Sequence, residues 1–323
     1  MIISRTPFRI SLAGGGTDLR EFYSEETGAV LSFAIDKYMY ITANHYFDDS
    51  IFLKYSRTEL VDSLKKIKHP LLRECLQMSG LNRGIEITSM ADIPSGTGLG
   101  SSSSFTVGTL HALSAFKDKF RTSEELAQGA CEIEIERLRE PIGKQDQYIA
   151  AYGGFQFIEF MPDESVKINP LIFNEKTRKE IFEQMILLYT GMRRKAGPIL
   201  RKARKSFPEK KEALRRLKAL AYFSKEKLQS GHVDFLGHVL NEGWEIKKSL
   251  ASEVSNPEID EAYAAALKAG AVGGKVLGAG GGGFLLLFCP QAKRSAVLNR
   301  LKAWREIPFR FEPEGSKIIH VSR

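Results

Sequence analysis

Residues 93–104 read IPSGTGLGSSSS, and the next stretch, FTVGTLHALSAF at 105–116, has the composition of a helix. Glycines let a backbone turn sharply and approach a ligand closely, because no Cβ intervenes. The first N–H groups of a helix have no internal partner and carry partial positive charge, so they attract anions. Strand-like GIEITSMADI (84–93) delivers the chain into this loop, which gives the order strand, glycine loop, helix. Two readings compete for the loop: a phosphate cradle, or a flexible linker closed by a serine N-cap.

The known nucleotide motifs discriminate poorly at first. A Walker A loop needs a lysine after its last glycine, and here Gly100 is followed by Ser101. A literal GxGxxG occurs at Gly278–Gly283, but FLLLF comes after it, a strand where the dinucleotide fingerprint requires a helix. The loop at 93–104 is therefore the better cradle, with serine hydroxyls able to ligate Mg²⁺ or donate to oxygen.

Composition narrows the classes. A chain of 323 residues suffices for two domains, each with a core. No apolar run approaches the length of a membrane span, and the N-terminal residues lack the continuous apolar region of a secretory signal, so a cytoplasmic protein with no membrane partner is expected. Three cysteines (Cys75, Cys131, Cys289) lie far apart, which predicts reduced thiols. The histidines show no HxxxH or HExxH pattern, which argues against zinc. Net charge is +8, much of it between Arg193 and Lys227. A solvated helix face explains that run better than a nucleic-acid surface, and no nucleic-acid module pattern accompanies it, so no nucleic-acid partner is expected.

Along the chain, the first segment reads as a strand entering a glycine turn, 28–46 as one or two strands, and 122–140 as a helix with Ser123 as N-cap. FQFIEF (155–160) and QMILLYTG (184–191) read as strands, and 256–270 as a helix between Asn256 and Gly270 caps. A domain boundary is expected near 170–185, giving units 1–175 and 176–323.

TPFRISLAGGGTD near the start, PSGTGLGSSSS near residue 100 and GAGGGGF near the end, in that order, resemble the three motifs of the GHMP kinases. The family is named for galactokinase, homoserine kinase, mevalonate kinase and phosphomevalonate kinase, and the resemblance spans almost the whole chain. It implies an α+β fold with an N-terminal domain similar to ribosomal protein S5 domain 2 and a ferredoxin-like C-terminal domain. It further implies ATP and Mg²⁺ as cofactors and a small-molecule phosphosugar substrate, for a monomer or homodimer. LAGGGTDL, EPIGKQDQYIAAYGGFQF and GGKVLGAGGGGF are most similar to the members that phosphorylate an anomeric hydroxyl. The acceptor implied first is D-glycero-D-manno-heptose 7-phosphate, with the 1,7-bisphosphate feeding nucleotide-activated heptose for surface polysaccharide. A plain hexose such as L-fucose, or a non-catalytic binding protein on the same fold, is the alternative.

The same resemblance assigns roles. Asp146 would orient or deprotonate the attacking hydroxyl, and Arg9 would sit beside it and help neutralise the transferring phosphoryl group. Pro94, Ser95, Gly96, Thr97, Gly98, Leu99, Gly100, Ser101, Ser102 and Ser103 would hold the ATP phosphates. Asp18, with Thr17 and Gly16, would grip sugar hydroxyls. Lys144, Arg193 and Lys275 are candidate cations for a substrate phosphate, and Gly280 and Gly281 candidate backbone donors. Ser102 and Glu136 are the expected metal ligands. Glu132, Glu134 and Glu136 alternate in CEIEIE, and since i and i+2 diverge on a helix only one reaches the metal, with Glu134 in reserve.

Overall fold

The computed structural model describes residues 1–192 and 210–322. Its larger sheet is built on two long strands, β1 (Ile2–Ala13) and β2 (Gly28–His45), paired antiparallel around the first glycine turn. β2 is long enough to hold two partners end to end, β5 (Ile85–Ala91) along 39–45 and β6 (Phe155–Phe160) along 28–33. Beyond β5 lie β3 (Ile51–Lys54) and β4 (Thr58–Val61), and beyond β6 lies β7 (Val166–Pro170). The chain returns at its end to this sheet, where β12 (Lys317–Val321) pairs with β1.

The smaller sheet is antiparallel throughout, in the order β11 (Arg305–Glu306), β8 (Met185–Tyr189), β10 (Phe284–Phe288), β9 (Gly273–Val276). FLLLF is buried along its whole length, as expected of a central strand covered on both faces. The glycine run 278–283 is the connection between β9 and β10.

Short α1 (Arg20–Tyr23) comes after the first glycine turn, and α2 (Pro70–Ser79) precedes β5. The helix behind the loop at 93–104, α3, begins earlier than the sequence suggests. It runs Ser101–Phe116 from a Gly100 N-cap at φ +75°, so the four serines form its first turn. α4 (Ser123–Cys131) is capped by Thr122, not Ser123: the Thr122 hydroxyl accepts the Glu125 N–H while the Glu125 carboxylate accepts the Thr122 N–H, a capping box. The expected single helix over 122–140 then widens into a π-helical turn at Glu132–Arg137. α5 (Gln145–Tyr152) is next, and α6 (Glu175–Glu183) leads into β8.

In the second half, α7 (Lys211–Gln229) and α8 (Leu236–Leu250) pack together, and α9 (Pro257–Ala269) has the Asn256 and Gly270 caps read from the sequence. α10 (Arg294–Arg300) comes after β10. The described part of the basic run has intramolecular partners: Lys211 pairs with Glu25, and Arg215 and Lys218 both pair with Glu26. Leu214 of the same helix lies against Gly16. α7 thus crosses from the second half of the chain onto the first glycine turn. All three cysteines are free and buried. Among the described residues no helix is long and apolar enough to cross a membrane.

Candidate active site

The site forms where β1, the start of α3 and the start of α5 converge. Arg9, on β1, is 5% exposed and grips Asp146 on α5 with two hydrogen bonds, Nε to Oδ1 and Nη2 to Oδ2, both 2.7 Å. Its remaining Nη1 donates to the carbonyl of Gly98 at 2.7 Å. One planar guanidinium therefore fixes a carboxylate and the glycine loop together, which a lysine point charge does not do. A Cβ on Gly100 would lie 3.1 Å from Arg9 Cγ and 3.4 Å from Asp146 Oδ2, so the N-terminus of α3 abuts the pair.

Pro94, Ser95 and Gly96 are exposed, whereas Thr97, Leu99, Ser101 and Ser103 are buried. Thr97 Oγ1 donates to the Pro94 carbonyl at 2.9 Å, which closes the loop on itself. Gly98 and Gly100 have positive φ, +86° and +75°, the conformation glycine tolerates.

Beneath the serines lies Glu134. Its side chain is fully buried and accepts Ser102 Oγ at 2.6 Å, Ser103 Oγ at 2.8 Å and Gln147 Nε2 at 2.6 Å, with Thr106 Oγ1 at 3.2 Å. Burial pushes its carboxyl pKa up, and the three strong donors oppose that shift. Glu136, the expected ligand, is instead on the surface, with a side chain 61% exposed and 3.8 Å from Arg20. Ordinary helical spacing explains the exchange: Ala127, Ala130 and Cys131 lie on the buried face of α4, and Glu134, seven, four and three residues on, continues that face, whereas Glu136 does not.

Asp18 is also buried. Oδ1 accepts the Gly16 N–H at 2.9 Å and Oδ2 the Gln145 N–H at 3.4 Å, while burial, more than the nearby Asp146 charge, raises its pKa. Its carboxylate packs so tightly on Gly143 that a Cβ there would fall 2.0 Å from Oδ2. Near it, Ser11 Oγ is buried without a hydrogen-bond partner. Ser11 Oγ and Gln145 Nε2 each lie 3.7 Å from the point a Gly15 Cβ would occupy, a polar corner that a carbohydrate hydroxyl fits. The motifs did not single out Ser11, although it shares a strand face with Arg9 two residues away.

Other expected contacts are placed differently. The Thr17 hydroxyl lies 2.8 Å from the Gly14 carbonyl and 3.0 Å from both the carbonyl and the N–H of Ala29, so it holds the turn. Lys144 is paired with Glu164 and sits 4.6 Å over the Tyr23 ring, which removes it as an unpaired cation. The Gly281 N–H donates to the Val254 carbonyl at 2.6 Å, and a Gly280 Cβ would meet that same carbonyl at 2.5 Å. The Gly281 N–H is thus committed to packing, whereas the backbone of Gly280 only abuts the same carbonyl. Arg193 lies outside the described residues.

Lys275, on β9, is 8% exposed and donates to the Leu12 carbonyl at 3.2 Å. Burial, with the Arg9 charge in support, pushes its pKa down to about 8. A second lysine, Lys247 on α8, donates to the carbonyl of Val276 at 3.2 Å and to that of Gly278. Desolvation, then Lys275 and Arg9, hold its pKa well below the usual amine range. No motif marks Lys247. The signal was nevertheless present: it falls three and four residues from Trp244, Gly243 and Leu250, beside the buried stripe of α8.

The two glycine loops touch. A Gly98 Cβ would lie 2.6 Å from the Leu277 carbonyl, and a Gly283 Cβ 2.3 Å from the Thr97 carbonyl. The assembly brings carboxylates from the larger sheet's half together with lysines from the smaller.

Residues 62–154 match the GHMP kinases N terminal domain and residues 224–306 the GHMP kinases C terminal domain. The chain is 32% identical to the D-glycero-alpha-D-manno-heptose 7-phosphate kinase of Campylobacter jejuni over 98% of each. The fold superposes on a D-glycero-D-manno-heptose 1-phosphate kinase from Bacteroides thetaiotaomicron with a TM-score of 0.83, 27% identity and full coverage of both chains. A putative sugar kinase from Campylobacter jejuni gives a TM-score of 0.81 at 29% identity, covering 99% of this chain and 98% of that one. With both domain matches and a relative of that similarity over its whole length, the chain belongs to the GHMP kinase family.

Proposed function

We propose that this sugar kinase transfers the terminal phosphoryl group of ATP to the anomeric C1 hydroxyl of D-glycero-D-manno-heptose 7-phosphate. The observation that carries the reading is the Arg9–Asp146 pair held against the Gly98 carbonyl, because it sets a hydroxyl-orienting carboxylate beside a phosphate-binding helix start. The ATP phosphates lie along 96–103, on the N–H groups of the first turn of α3. Asp146 accepts the hydrogen bond of the attacking hydroxyl and fixes its line of attack; phosphoryl transfer depends on such positioning more than on strong base catalysis. Arg9 offsets the charge of the transferring group. Asp18, the Gly16 turn and Ser11 hold the sugar hydroxyls.

Exposed Ser102 and buried Glu134 are hard oxygen donors at the mouth of the phosphate loop, a set that fits Mg²⁺. Among the described residues no group of three or more His, Cys, Asp or Glu could hold a metal. An ion there would be bound by one carboxylate, a hydroxyl, waters and substrate phosphates. When bound, the ion supplies charge neutralisation at the phosphates. A heptose is favoured over L-fucose by the names of two similar proteins, which share the sugar and differ in the phosphorylated position.

The test is an ADP-release assay offering the heptose 7-phosphate, the dephosphorylated heptose, L-fucose and D-galactose in parallel. Turnover confined to the phosphorylated heptose, and lowered about 10²- to 10⁴-fold in Asp146→Asn, is the expected result. Turnover on L-fucose or D-galactose alone contradicts the acceptor assignment, and an active Asp146→Asn contradicts the role of the carboxylate.

A further inference from the structure

Two lysines, Lys275 buried and Lys247 half-buried, lie at the junction of the halves, and neither has a carboxylate partner among the described residues. Lys275 Nζ has one main-chain acceptor, the Leu12 carbonyl, and Lys247 Nζ has two, the carbonyls of Val276 and Gly278. An ammonium carries three donors, so each retains hydrogen-bonding capacity. The charge that bears on both lysines is again positive, the Arg9 guanidinium, which lowers the pKa of each. Arg9 alone has a counter-ion, Asp146. Desolvated like charges without anions are costly, and folds place them where a ligand completes the balance.

Their position says what that ligand is. Lys247 holds the carbonyl of Gly278, whose backbone packs on the Gly98 Cα, and Gly98 is held in turn by Arg9. The lysines therefore lie beside the loop at 96–101, on the side that the smaller sheet contributes. α8 is pressed close enough on β9 to permit this: a Gly273 Cβ would lie 1.9 Å from the Gly237 carbonyl.

We propose that Lys247 and Lys275, together with Arg9, form a phosphate-binding site facing the loop at 96–101. The proposal rests on the kinase reading above and adds to it a cation that no motif marks. Its occupant is a phosphate group carried either by the nucleotide, as the terminal phosphate, or by the acceptor. Hydrogen bonds to main-chain carbonyls hold the ammonium groups in place before the ligand arrives, so the site is preorganised.

Calorimetric titration of the full chain separates the sources. The ligands are ADP, a non-hydrolysable ATP analogue, the heptose 7-phosphate and the dephosphorylated heptose; the variants are Lys247→Gln and Lys275→Met. Lys247→Gln removes the charge but keeps a donor for the Val276 and Gly278 carbonyls, so loop structure and charge are tested apart. The expected result is a loss of about tenfold or more for one phosphate-bearing ligand, with ADP and the plain heptose unchanged. Loss with the ATP analogue assigns the site to the terminal phosphate, and loss with the heptose 7-phosphate assigns it to the acceptor. Affinities within about twofold of wild type for all four ligands overturn the proposal, as does an equal loss for ADP, which marks a loop brace only. A wild-type chain that binds neither nucleotide overturns the kinase reading itself.

Discussion

The glycine-rich loops at 93–104 and 278–283 are near in composition and opposite in consequence. The first ends in a helix whose opening turn exposes N–H groups and, through Ser102 and Ser103, rests on a buried carboxylate. The second ends in a buried strand, and the Gly281 N–H is already committed to the Val254 carbonyl. Glycine permits close approach in both. Backbone packs on backbone in each case, Gly98 on the Leu277 carbonyl and Gly280 on that of Val254, and the difference lies in the helix start that only the first provides. The element after a glycine run, more than the run itself, decides whether it binds phosphate.

The largest effect that could undo this contrast lies under the first loop. Glu134→Gln removes the charge on which the serines converge, and the Mg²⁺ concentration for half-maximal activity should rise about 10- to 100-fold. Glu136→Gln, two residues on, should leave the metal requirement unchanged and alter stability by less than about 1 kcal/mol. Metal titration of the two variants side by side checks both statements, and equal effects would break the distinction between them.

A smaller effect is expected where the loops meet. Gly98→Ala places a Cβ 2.6 Å from the Leu277 carbonyl at a φ of +86°. Nucleotide affinity should fall about tenfold, or about 1.4 kcal/mol, as the loops are wedged apart. Gly191→Ala is the control, with a φ of +76° but no atom of the described residues within 4 Å. It should cost only the backbone strain, about 1–2 kcal/mol of stability, without a change in nucleotide affinity. Fluorescence titration with a labelled nucleotide, paired with thermal unfolding, reads both.

The smallest effect is the pH dependence on the second loop's side. Lys275 faces Arg9 and Lys247, with Asp146 beyond Arg9, and its pKa lies at about 8. The unfolded chain, with an ordinary lysine near about 10.4, binds more protons between about pH 8 and 10. The Lys275 contribution to stability should therefore rise with pH across that window. Phosphate favours the charged form, so the thermal stabilisation by the ligand should be larger at about pH 7 than at about pH 9. Lys275→Met should flatten both trends, and unfolding scans at the two pH values measure them.

Much of this was legible in the sequence because it is local. The order strand, glycine loop, helix comes from alternation and turn residues, and Asn256 and Gly270 cap their helix as residue type predicts. The motif order identified the family, and the Arg9–Asp146 contact joins two motifs 137 residues apart. The choice of Glu134 over Glu136 was legible in the spacing, though the motif pointed elsewhere: Glu134 follows Ala127, Ala130 and Cys131 on one helical face, and Glu136 does not. Lys247 was visible only as a charge beside an apolar stripe, and it acquires meaning when α8 docks on β9. Thr17 and Gly281 carry the right residue types for substrate contact, but tertiary packing satisfies them internally.

Whether this chain is an anomeric kinase is read most directly by phosphorus NMR of the reaction mixture with Mg·ATP and the heptose 7-phosphate. One new phosphate ester at C1 should appear for each ADP formed, with the 7-phosphate signal retained. ADP formed with free phosphate and no new ester, or an ester at another carbon, would contradict the assignment.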